Sequence, residues 1–303
     1  MVRSESTSLL TQPGPKQRWS HSACAKAEIE RALNDIRVTA IEADVMGVRG
    51  KQVVPVMAHP TLLSDSLPDW DTTLEQFLEL CVSDGRRHIK LDFKQIEAVE
   101  PSLKILKKFM PRFRATGQGI WLNADVLPGP NGRGACRLPA HLFLPLWRKH
   151  LPQAKLSLGW KTSMLGFESR FTTEDMRQML LTCRQHGVPG HSVLFAPSIR
   201  LAQSSVPQLA ELLNGLNGSQ LLFWTAKFEV PVLQGVQDSL DAQFAKLSMQ
   251  DRIGYDVHVL QGSTALMVAA LVLAIVALCG TVRWAVTHLH VRSFERVHQS
   301  EPP

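Results

Sequence analysis

The sequence predicts an α/β fold, a (β/α)8 TIM-type barrel followed by one C-terminal transmembrane helix. Three observations lead there. Eight short apolar, strand-like runs recur within residues 17–260, amphipathic helical patterns lie between most of them, and a nineteen-residue stretch without charge, 264–282, stands near the C-terminus. Strands alternating with helices imply right-handed crossovers and a parallel sheet. Eight such units in about 240 residues match the size of a closed barrel. No Gly-rich phosphate fingerprint occurs at a strand-to-helix turn, which removes the usual nucleotide-binding form of the rival open sheet.

Residues 1–16 are polar and carry Pro13, Gly14 and Pro15, and are expected to be a disordered lead-in. Strands are expected at 17–21, 38–45, 88–93, 120–126, 155–158, 193–199, 221–225 and 253–257, with an extra hairpin-like run at 53–58. Helical periodicity marks 25–35, 73–83, 100–109, 140–150, 173–186 and 205–216. The barrel domain is therefore assigned to 17–260, the membrane span to 264–282 and a basic tail to 283–303.

A span of nineteen uncharged residues is close to the twenty or so that cross a hydrocarbon core, and it lacks the polar stripe of a buried core helix. The chain is thus expected to be a single-pass membrane protein with the bilayer as a partner. Arg283, Arg292 and Arg296 after the span outnumber Lys246 and Arg252 before it, which puts the tail in the cytosol and the barrel outside. The N-terminus has no apolar core of a secretory leader, which instead suggests a tail anchor with the barrel in the cytosol. The sequon Asn217-Gly218-Ser219 favours the outside, so the sequence leaves both orientations open.

The net charge of +6 is modest and scattered. The cluster Lys104, Lys107, Lys108, Arg112 and Arg114 reads as a solvated helix face, and no nucleic-acid partner is expected. Cys24, Cys81, Cys136, Cys183 and Cys279 form no CxxC pair, which excludes a zinc ribbon or a dithiol redox motif and leaves buried thiols as the ordinary reading.

In a barrel, chemistry gathers at the C-terminal ends of the strands. There the sequence places His21, then Glu42 and Asp44, then Lys90, Asp92 and Lys94, then Asn123 and Asp125, with Trp160, Arg200, Trp224 and Asp256 on later units. Alternation puts Glu42 and Asp44 on one face, and likewise Lys90, Asp92 and Lys94. Burying such groups costs several kcal/mol unless they are paired or hold a metal. Glu42, Asp44 and Asp92 offer hard oxygen ligands, which suit Mg²⁺ or Ca²⁺ better than Zn²⁺. His21 and His59 are the catalytic candidates, because unperturbed histidine alone titrates near neutrality. Lys90, Lys94, Asn123, Asp125, Trp160 and Arg200 are the expected substrate-binding residues. Blander readings stand beside these: Asp125 and Asp256 as helix caps, Lys90 and Lys94 as an ion-pair ladder around Asp92, Trp160 as core.

Trp19-x-His21, Ile41-Glu-Ala-Asp-Val45, Met57-Ala-His-Pro60, Ile89-Lys-Leu-Asp-Phe-Lys94 and Trp121-Leu-Asn-Ala-Asp125 together resemble the ordered motifs of the menorin family. The likeness continues through Gly129-Pro130-Asn131, Leu156–Trp160 and Tyr255-Asp256, over roughly residues 17–260. More remotely, His21, Glu42, Asp44, His59, Asp92 and Lys94 resemble the ordered site residues of glycerophosphodiester phosphodiesterases and phospholipase C-like barrels. That resemblance implies a metal-dependent barrel in which two histidines act on a phosphodiester. The chain departs from the remoter pattern at Ser22, where those enzymes carry Arg, and at Pro60, where they carry Asp. Two functions follow as expectations: a membrane-anchored phosphodiesterase acting on a glycerophosphodiester or lipid headgroup, or a non-catalytic domain that binds a cell-surface protein partner and keeps a structural ion.

Overall fold

Residues 14–60, 68–130, 136–162, 170–226, 229 and 231–260 are described by a computed structural model. In it the chain runs β1 (Trp19–Ser20), α1 (Lys26–Asn34), β2 (Ala40–Val48), β3 (Val54–Met57), α2 (Leu74–Asp84), β4 (His88–Phe93), α3 (Ile96–Thr116), β5 (Ile120–Pro128), α4 (Ala140–His150) and β6 (Lys155–Lys161). It continues through α5 (Thr173–Gln185), β7 (Val193–Ala196), α6 (Ile199–Ala202), α7 (Val206–Gly215), β8 (Gln220–Trp224), β9 (Val232–Leu233), α8 (Gln234–Lys246), β10 (Ile253–Asp256) and β11 (Val259–Leu260).

The expected parallel barrel is present. Strands pair in the order β1-β2-β4-β5-β6-β7-β8-β10, all in parallel, and β3 folds back antiparallel on β2 as the hairpin at 53–58 foreshadowed. The barrel is nearly closed: among the described residues no strand pairing joins β10 to β1. The chain before β1 runs close to β10, since a Cβ on Gly254 would overlap the Pro15 carbonyl and Lys16 Nζ lies 3.4 Å from Asp251. A smaller unit, residues 231–237 and 259 onward, contains the parallel pair of β9 with β11.

Alternation sorts each strand into two faces. Ile41, Ala43 and Val45 of β2 and Ile89, Leu91 and Phe93 of β4 are fully buried, together with helix residues such as Phe77, Leu78, Leu103 and Phe113. Opposite residues of the same strands are polar, and parallel register sets them side by side. Glu42 pairs with Lys90 and Asp44 with Asp92, Asp92 in turn stands beside Asn123, Asn123 beside Ser157, and Asp125 beside Gly159. Deeper in, Trp121, Leu194 and Leu222 with Trp19 form an apolar cluster of their own.

The elements differ from expectation in places with physical causes. The helix expected at 100–109 is α3, twice as long, and Pro101 and Pro111 both lie inside it. Each proline removes one backbone bond, and the buried row Val99, Leu103, Leu106, Met110 and Phe113 holds the helix through both. The strand expected at 155–158 extends to Lys161, and the one expected at 193–199 stops at Ala196, where Ile199 opens α6. Helix α8, not among the expected helices, buries only Leu240 and Phe244. Among the described residues no helix is long and apolar enough to cross a membrane, and the expected span 264–282, the basic tail and residues 1–13 of the lead-in lie outside them.

Candidate active site

The mouth of the barrel holds a cleft lined by His21, Ser22, Glu42, Asp44, His59, Lys90, Asp92, Lys94, Asn123, Asp125, Ala196, Trp224 and Ala226. Strands β1, β2, β4 and β5 thus bring together every residue expected from the first four barrel units, and the segment after β3 adds His59. Trp160 and Arg200 are placed elsewhere. The Trp160 ring is buried against Phe171 and Phe195, with ring centroids 5.0 and 6.3 Å away, because the longer β6 keeps it within the strand. Arg200 sits on α6 with its Nε 3.2 Å from Glu229 Oε2. Neither lines the cleft.

The cleft is organised by charge. Asp256, buried on the last barrel strand, accepts from Lys90 Nζ at 2.6 Å and lies 3.0 Å from His21 Nδ1. Burial disfavours a charged imidazole, yet the carboxylates of Asp256 and Glu42 outweigh it and hold His21 protonated up to about 9. Burial likewise opposes ionisation of Asp256, and Lys90 and His21 overcome it, keeping this carboxyl far below its ordinary range. Asp256 was expected to cap a helix. It is instead the counter-ion of the site, and the one sequence signal for it is its position at the end of the last apolar strand run.

On the other side, Lys94 Nζ bridges Asp44 Oδ1 at 2.9 Å and Asp92 Oδ2 at 2.6 Å. Burial works against the Asp44 charge, and Lys94 outweighs it, holding the carboxyl low. Burial lifts the Glu42 carboxyl to about 7 against the pull of His21. Its Oε2 accepts from the backbone N–H of Ser22 at 2.6 Å, and Ser22 Oγ donates to Asp44 at 3.0 Å. Ser22 adopts a left-handed φ of 53°, a conformation that costs energy in a non-glycine residue and persists where its surroundings enforce it. Here two buried acceptors do so. Nothing in the sequence beyond its place next to His21 pointed to that role. The Cys24 thiol also meets Asp44, at 3.5 Å, and burial pushes it far above the reactive thiol range.

His59 donates Nδ1–H to the Pro60 carbonyl at 2.6 Å. Ser157 donates to Asn123 Oδ1 at 2.5 Å, which leaves the Asn123 amide hydrogens as donors for a ligand. In both histidines Nδ1 is engaged and Nε2 is the nitrogen left for substrate.

Glu42, Asp44 and Asp92 each bring a carboxylate oxygen within 4.8 Å of the others, an arrangement that can hold a metal ion. The charge balance fits a divalent one. Glu42, Asp44, Asp92, Asp125 and Asp256 oppose Lys90 and Lys94, five carboxylates to two ammoniums, a formal −3. A divalent cation and the His21 imidazolium offset that charge, and all-oxygen donors match the preference of Mg²⁺ or Ca²⁺.

Among solved structures the chain is similar to a putative glycerophosphoryl diester phosphodiesterase from Silicibacter pomeroyi, at 15% identity with a TM-score of 0.47 over 82% of this chain and 92% of that one. It is also similar to a phosphodiesterase of Oleispira antarctica in complex with the product sn-glycerol-3-phosphate, at 15% identity and a TM-score of 0.48 over 79% and 92%. Human Protein FAM151B is 31% identical over 245 residues, 77% of this chain and 82% of that protein. The Menorin N-terminal domain model matches residues 14–259, the whole barrel with its ordered motifs, and the chain accordingly belongs to the menorin family.

Proposed function

We propose that the protein is a metal-dependent phosphodiesterase, anchored in a membrane through 264–282 and acting on a glycerophosphodiester or a lipid headgroup. The observation that carries this reading is the convergence of two histidines on one cleft with the carboxylate group Glu42, Asp44 and Asp92. Glu42, Asp44 and Asp92 would hold a divalent ion, which would supply Lewis-acid chemistry toward the phosphate. Asn123 and the ammoniums of Lys90 and Lys94 position the phosphate by hydrogen bonding and charge. His21, protonated at neutral pH, gives its Nε2 proton to the leaving oxygen as the P–O bond breaks. His59, whose Nδ1 proton is committed to Pro60, presents the Nε2 lone pair and takes the proton of the attacking water. Hydrolysis of glycerophosphodiesters by the full chain in detergent with Mg²⁺ or Ca²⁺ tests this. His21→Ala and His59→Ala should each lower turnover about 10²–10⁴-fold; unchanged turnover in either removes that histidine from the reaction.

A second reading, a binding domain for a cell-surface protein with a structural ion, is favoured by one observation. Lys90 and Lys94 are already matched by carboxylates. On that reading metal raises the melting temperature while no diester is hydrolysed.

A further inference from the structure

We propose that Asp125 and Trp224 form a subsite for a positively charged alkylammonium group on the alcohol portion of the phosphodiester. The inference rests on the phosphodiester reading and names the substrate class for it. Every other carboxylate of the cleft is engaged: Asp44 and Asp92 by Lys94, Asp256 by Lys90 and His21, Glu42 by the Ser22 backbone. Asp125 differs. Among the described residues no hydrogen bond or ion pair meets its carboxylate, although it lines the same cleft. Its neighbour on β6 is Gly159, and a Cβ there would overlap Asp125 Oδ1, so the glycine is what lets the carboxylate stand where it does.

Trp224 supplies the second half. Its indole N–H donates to the Ala196 carbonyl at 2.9 Å, which fixes the ring and spends its only donor. What remains for a ligand is the π surface. An indole and a carboxylate lining one partly desolvated cleft suit a quaternary or primary ammonium, through cation–π attraction and charge. Phosphate meets the histidines, lysines and Asn123, and the ammonium meets Asp125 and Trp224, which matches a zwitterionic headgroup better than a neutral polyol.

Calorimetric titration of the full chain in a non-ionic detergent, with phosphocholine, inorganic phosphate and choline as probes, tests the subsite. Phosphocholine should bind about tenfold more tightly than phosphate, and Asp125→Asn and Trp224→Leu should each erase that advantage. Gly159→Ala, which displaces the carboxylate without removing it, should do the same. In turnover, Asp125→Asn should lower the kcat/KM preference for glycerophosphocholine over glycerophosphoglycerol about tenfold. Equal affinity for phosphocholine and phosphate in the unsubstituted chain, or an advantage that survives both Asp125→Asn and Trp224→Leu, overturns the subsite. A chain that hydrolyses diesters without preference overturns the subsite alone, whereas one that binds choline but neither phosphate nor diester overturns the phosphodiester reading and keeps the subsite. Preference for lysophosphatidylcholine over glycerophosphocholine identifies a lipid as the source of the headgroup and the reverse a soluble diester; either supports it.

Discussion

Replacing Asp256 by Asn removes one carboxylate that two buried cations share. Lys90 and Asp256 side chains are only 5% and 1% exposed, so the stranded ammonium has no water to turn to. Breaking a buried pair from one side costs about 3–5 kcal/mol, a large share of the roughly 5–15 kcal/mol that holds a domain folded. His21 reports the same loss independently. Its rise from 6.5 to about 9 corresponds to about 3 kcal/mol of preferential proton binding by the folded state. A group raised on folding contributes stability that is full below its unfolded value of 6.5 and lost as pH climbs toward 9. Asp256→Asn should remove that slope, and His21, with burial no longer opposed by this carboxylate, should titrate well below 9. Urea unfolding at about pH 6 and about pH 9, with NMR titration of the His21 ring, measures both. A His21 still titrating near 9, or a stability loss under about 1 kcal/mol, refutes the reasoning. Adding Lys90→Met to Asp256→Asn should recover most of the stability, because the unpaired charge goes with its partner.

Three further outcomes are expected. Mg²⁺ or Ca²⁺ at a hundred times its dissociation constant should stabilise the fold by about 2.7 kcal/mol, and Asp44→Asn with Asp92→Asn should abolish this in thermal unfolding. Because burial holds the Glu42 carboxyl near 7, it must lose a proton to ligate, so metal affinity should rise about tenfold per pH unit up to 7 and then level off. An affinity flat from about pH 5.5 to 8 would mean that Glu42 is not a ligand. Gly254→Val should destabilise by about 1–3 kcal/mol, since the new side chain meets the Pro15 carbonyl where the chain approaches β10; removing residues 1–16 from that variant should relieve part of the cost.

Much of this was legible before any coordinates, and the reason is alternation. In β2 and β4 a period of two separates apolar residues facing the helices from charged ones facing the barrel, so Glu42, Asp44, Lys90, Asp92 and Lys94 could be assigned to one surface from spacing alone. What spacing cannot supply is register between distant strands. Asp256 looked like any strand-end acid, and its role depends on residues some 166 and 235 positions earlier. Trp160 shows the converse error. Its position after a short expected strand suggested the cleft, and two or three more residues of β6 turned it into core. Ser22 stood out only as a departure from the remoter pattern, because its backbone N–H to Glu42 and its strained φ are not revealed by a residue name.

The contact between His21 and Asp256 joins the first barrel strand to the last, across the seam that no strand pairing bridges among the described residues. A nascent chain emerging N-terminus first therefore carries His21 and Lys90 long before their shared counter-ion is made. Until then Lys90 has no reason to enter a dry interior. Arrival of the final strand both completes the barrel and switches on the protonated state of His21, so a chain truncated before residue 256 is expected to be chemically silent even where its first seven strands have assembled.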